Sequence, residues 1–141
     1  MRQMFSFGLT LLFALMAGLA HGTGTFNYVS GGIGVAEQER LEAHEDVYNL
    51  KLVFTLVEGN YVADVRVLVK DGAGNTVIED IAGGPFFMAK LAPGRYNVTA
   101  TYEGKTVTRD VTVSDKRLRT EYLRWSSNPE TDLAVSRWTE R

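Results

Sequence analysis

The sequence predicts an all-β chain, an antiparallel sandwich of about seven short strands with one amphipathic helix at its N-terminal side. Three observations carry this. Apolar and polar residues alternate at period two through most of the segment from residue 49 to residue 125. Turn chemistry rich in Gly, Pro, Asn and Asp separates those runs at short intervals. A single stretch, Val35 to Tyr48, has a helical period, so the crossover helices that a parallel α/β sheet requires are missing.

The chain opens with Met1-Arg2-Gln3 and an uncharged run from Met4 to Ala20 rich in Leu, Phe, Met and Ala, the parts of a secretory signal. Gly18 and Ala20 suit the small positions before a peptidase cut, with Ala20 and Gly22 as a second register; cleavage is expected after Ala20. The densest apolar part is shorter than the about 20 residues a transmembrane helix needs. Residues 21–48 then form an N-terminal segment and helix, 49–125 the sandwich and 126–141 a polar tail. In the helix Ile33, Ala36, Leu41, His44, Val47 and Tyr48 share one side, and Glu39, Glu42 and Asp46 the other.

From Asn49 the period changes. Leu50, Leu52, Phe54 and Leu56 alternate in a first strand, Val65, Val67 and Val69 in a second, and Asp71-Gly72-Ala73-Gly74-Asn75 turns the chain into a third over Thr76 to Ile81. Gly83-Gly84-Pro85 breaks that strand before Phe86 to Leu91 resumes. Pro93-Gly94 then turns the chain into Tyr96 to Tyr102, where Pro93 sets φ, Gly94 supplies a conformation other residues resist and Tyr96 anchors the corner. Glu103-Gly104-Lys105 connects tightly to Thr106 to Val113, and Arg117 to Trp125 closes the series.

The run Asp64 to Asp71 with Gly74, Val77, Gly84-Pro85 and Leu91-Ala92-Pro93-Gly94-Arg95-Tyr96-Asn97-Val98 resembles the carboxypeptidase regulatory-like family. That resemblance covers residues 50 to 115 or thereabouts and implies a transthyretin-like β-sandwich of Greek-key topology, with a domain that accompanies a catalytic unit or stands alone. Tyr28 to Gly34 together with Tyr48 to Phe54 is similar to small exported bacterial proteins of the same type. No metal-peptidase ligand set occurs in this sequence, so the resemblance does not imply peptidase activity.

Composition narrows function mostly by exclusion. At 141 residues the chain suits one domain, and with Lys+Arg 15 against Asp+Glu 17 it has no general attraction for nucleic acid. Zero Cys removes thiolate chemistry and Cys-based metal sites, and only His21 and His44 carry imidazole. Gly31, Gly32 and Gly34 before a helix suggest an anion loop, but no Lys-Ser/Thr pair follows and Glu37 and Glu39 put negative charge in the first turns. Asp71 to Asn75 has the flavour of a calcium loop but lacks the ligand at Ala73 and a bidentate Glu, and reads as a hairpin turn. No catalytic, cofactor or metal residues are assigned.

Two features remain as a candidate interaction surface. Alternation puts Phe86 and Met88 on one side of their strand and Phe87 on the other; a central or helix-covered strand makes both faces core, and any other arrangement leaves a partner site. Lys116, Arg117, Arg119, Tyr122, Arg124 and Trp125 form a basic and aromatic strip, either a recognition surface or a charged edge strand guarded against aggregation. The expected role is a noncatalytic periplasmic binding or accessory module whose partner is an envelope protein or glycan. A glycan or small-ligand binder is the alternative, and a hydrolase would require a polar catalytic set converging in a cleft.

Overall fold

The computed structural model describes residues 27–127. The expected signal segment with both cleavage registers, and the tail beyond Ser127, lie outside the described residues. In chain order the elements are β1 (Asn27–Gly31), α1 (Val35–Glu42), a 3-10 turn (Glu45–Val47), β2 (Leu50–Leu56), β3 (Val65–Asp71), β4 (Thr76–Ala82), β5 (Phe86–Lys90), β6 (Gly94–Tyr102), β7 (Lys105–Val113) and β8 (Arg119–Trp125). They build the all-β sandwich expected, as two four-stranded sheets ordered β1-β5-β2-β8 and β4-β3-β6-β7. β5 returns beside β2 and β6 beside β3, which is Greek-key connectivity wrapped across both sheets.

Three details differ from the sequence reading. The strands number eight among the described residues, because β1, from the segment expected to precede the sandwich, pairs with β5 from Asn27↔Lys90 to Gly31↔Phe86. The β2–β8 pair is parallel. Each connection from β2 onward reverses the chain, so β2 and β8, an even number of strands apart, run alike once the fold makes them neighbours. The helix is also shorter than Val35 to Tyr48: it ends at Glu42, and the chain drops through the 3-10 turn so that Asn49 can bond to the sheet. Of α1 only Leu41 is buried, while Ile33 and Val47 from the expected apolar side are exposed.

The main core lies between the sheets. Leu50, Leu52, Phe54 and Leu56 of β2 face Val65, Val67 and Val69 of β3, as the alternation requires, with Phe87, Val98 and Leu123 completing it. A second, smaller cluster sits on the outer face of the first sheet, where Leu41 packs with Val53, Phe86 and Met88. The Tyr96 hydroxyl donates to the Ala92 carbonyl at 2.6 Å, so the corner is held as its sequence implies. Gly94 already belongs to β6, with φ +156°. No helix among the described residues is long and apolar enough to cross a membrane.

Candidate functional site

The eight candidate residues separate into three groups. Phe86 and Met88 are 4% and 1% exposed, because β5 lies between β1 and β2 and α1 covers its outer face. They are core, and the reading of them as a partner site is corrected. Trp125 is 3% exposed, packs its ring near Phe54 and Tyr102, and donates its indole N–H to the Lys105 carbonyl at 2.9 Å. It belongs to the core seam between the sheets, and its place in the exposed strip is corrected too. The sequence missed this because both faces of β8 carry aromatics, and alternation alone does not say which face is inside.

Lys116 and Arg117 lie in the connection before β8 and are exposed. They line a cleft of about 310 Å³ with Tyr48, Asp46, Lys90 and Leu118. Lys90 is 3.5 Å from the Asp115 carboxylate across the same cleft. Arg119, at the start of β8, donates from Nε to Glu121 at 2.9 Å, so its charge is balanced on its own strand. The strip is therefore divided, with its first residues at the end of the sandwich where β2 begins.

Tyr122 and Arg124 are the exposed remainder. β8 ends its sheet in the order β1-β5-β2-β8, so both residues lie on an edge strand. Register then builds a small grid on the outer face. One row runs Tyr61–Thr55–Arg124, from the Thr55↔Tyr61 bridge and the Thr55↔Arg124 pair; the next runs Phe86–Val53–Tyr122. Leu41 packs in the cluster of Val53 and Phe86, while Tyr61 and Tyr122 remain 54% and 53% exposed. The Tyr61 ring meets Phe86 edge-on at 5.5 Å, and the Arg124 guanidinium stands 5.5 Å from the centre of the Tyr122 ring.

Between these groups lies Thr55, 5% exposed, whose hydroxyl is buried and has no hydrogen-bond partner. Such an orphan costs stability and is uncommon in native folds. Lys51, two steps along the same face beyond Val53, sits 4.7 Å over the Phe86 ring and is ion-paired with Glu45. Thr55 and Tyr61 were not among the residues the sequence singled out. Tyr61 follows a Gly-Asn turn, and nothing in its local pattern shows that the chain folds back beside β2 to bring its ring against Phe86.

The other motifs serve structure. Gly31 and Gly32 are buried against Glu37 and the Phe86 ring, and Gln38 donates to the Gly32 carbonyl at 2.9 Å, so this loop closes on protein. The Nδ1–H of exposed His44 donates to the Arg40 carbonyl at 2.7 Å. Asp71 accepts from the N–H groups of Ala73 and Asn75, at 3.0 and 2.9 Å, which makes its loop an Asx-type hairpin turn. Among the described residues no three His, Asp or Glu side chains gather as a metal site.

Fold and surface together define a small Greek-key sandwich carrying an exposed aromatic and cationic ledge. The chain matches the Rhizobiales growth-associated tandem repeat domain over residues 47–120, more than half of its length, and it belongs to that family. The match takes in Thr55 and Tyr61 and stops within β8, before Tyr122 and Arg124. No curated protein matches the chain.

Proposed function

We propose that this protein is a noncatalytic binding or accessory module of the periplasm, of the type that its carboxypeptidase regulatory-like resemblance implies, and that it engages its partner through the outer face of the β1-β5-β2-β8 sheet. One observation carries the reading: Tyr61, Tyr122 and Arg124 stay exposed on a face where Val53, Phe86 and Met88 are buried with Leu41 of α1. Exposed aromatics beside a cation are the composition of recognition surfaces. The noncatalytic part is supported by the use of His44 and Asp71 in local hydrogen bonds. Export is supported by the apolar run from Met4 to Ala20.

Tyr122→Ala and Lys116→Gln, each checked by circular dichroism for retained fold, test the surface in a pulldown from cell-envelope extract. Capture is expected to be lost with Tyr122→Ala and kept with Lys116→Gln; the reverse moves the site to the cleft. Intact mass of the exported protein is expected to correspond to a chain starting at His21. A second reading, a glycan or small-ligand binder rather than a protein-docking module, is favoured by the orphan hydroxyl of Thr55, since a protein-packing surface has little use for a buried polar group without a partner.

A further inference from the structure

We infer that the ledge formed by Tyr61, Thr55, Tyr122 and Arg124 is a binding site for a carboxylate-bearing glycan. This rests on the binding-module reading and names its ligand class. Three features of the ledge ask for three different groups, and one ligand chemistry supplies them all. The tyrosine rings offer flat apolar faces of the kind that stack on the C–H face of a sugar ring, with each phenol available at the rim. The Thr55 hydroxyl, buried and unpartnered, needs a group that can donate or accept, as sugar hydroxyls do. Arg124 forms no ion pair among the described residues, unlike Arg119 on the same strand, and its guanidinium suits a carboxylate.

Neutral sugars would leave Arg124 without its anion. An acidic peptide would satisfy Arg124 but would set no flat C–H face on the rings. The row Tyr61–Thr55–Arg124 crosses two strand spacings, about 10 Å, wide enough for a disaccharide laid over Thr55. Thr55 is 5% exposed, so a ligand reaches its hydroxyl only if the side chains over it move aside on binding.

The experiment is calorimetric titration of the full chain with trigalacturonate, with cellotriose and hexaglutamate as comparisons. Trigalacturonate is expected to bind saturably and cellotriose at least about tenfold more weakly. Arg124→Gln and Thr55→Val are each expected to weaken trigalacturonate by about fivefold or more, while Lys116→Gln leaves it unchanged. Thr55→Val keeps the shape of the side chain and removes only the hydroxyl, so its thermal midpoint should hold or rise while binding falls. A merely structural threonine would not separate those two readouts. Absence of saturable trigalacturonate binding, or binding indifferent to both variants, overturns the inference. Hexaglutamate binding that depends on Tyr122 and Arg124, without trigalacturonate binding, also overturns it but leaves the binding-module reading standing; capture from envelope extract that Tyr122→Ala leaves undiminished is what defeats that reading.

Discussion

Asn49 does more for this fold than its place just before β2 suggests. Its side chain is buried at 2% exposure, donating from Nδ2 to the Leu91 carbonyl at 2.7 Å and accepting from the Leu91 N–H at 2.8 Å. Its own backbone bonds to Ala89 on one side and Arg119 on the other. One amide thereby supplies the backbone pairing that Leu91 would otherwise lack at the end of β5. Asn49→Ala leaves a buried donor and acceptor unsatisfied and is expected to cost about 2 to 4 kcal/mol, read from chemical denaturation; a loss below about 0.5 kcal/mol would mean water replaces the amide. The residue was legible as a strand boundary. Its partner, 42 positions away, was not, because a side chain that imitates backbone leaves no periodic trace.

Elements follow their local patterns where turn chemistry is strong. Glu103 and Gly104 both have positive φ, 46° and 75°, the pair of values a type I′ hairpin needs between β6 and β7. Gly104 adopts this freely, but Glu103 does so with strain. Glu103→Asn is expected to raise stability by about 1 kcal/mol, seen as a higher denaturation midpoint, and a lower one would show that the glutamate side chain compensates for its backbone. Gly83-Gly84-Pro85 reads as a strand breaker, yet Gly84 has a second reason. A Cβ there would lie 2.2 Å from the Gly31 carbonyl oxygen, so the glycine lets β1 reach β5. The pattern shows the break and hides the close approach.

Across the whole molecule, each flank of the sandwich carries a polar tie. Trp125 links β8 to Lys105 at the start of β7, while the Tyr28 hydroxyl donates to Asp80 Oδ2 at 2.8 Å and joins β1 to β4. The hydrogen bond to Asp80, then desolvation, then the carboxylate charge push the Tyr28 hydroxyl above the usual tyrosine range. An unfolded tyrosine ionises near pH 10 or about there, below the folded one, so this tie contributes fully below about pH 10 and is lost as pH rises through the folded value. The stability difference between the protein and Tyr28→Phe should therefore be present at neutral pH and shrink in alkaline solution, measured as thermal midpoint against pH. A difference that grows with alkalinity would reverse the sign of the assignment.

Local order, by itself, determined the all-β class, the alternating inward residues Leu50 to Leu56 and Val65 to Val69, the corner at Tyr96 and the turn at Glu103-Gly104, because each depends on neighbours within a few residues. It also singled out Tyr122 and Arg124. Tertiary structure alone decided that Phe86 and Met88 lie under α1, that Trp125 faces inward, that β8 runs parallel to β2, and that exposed Tyr61 comes beside buried Thr55 in the row that ends at Arg124. These outcomes depend on which strands become neighbours. Period-two alternation gives each strand two faces and assigns neither; only the pairing of distant strands and the cover of a helix choose between them.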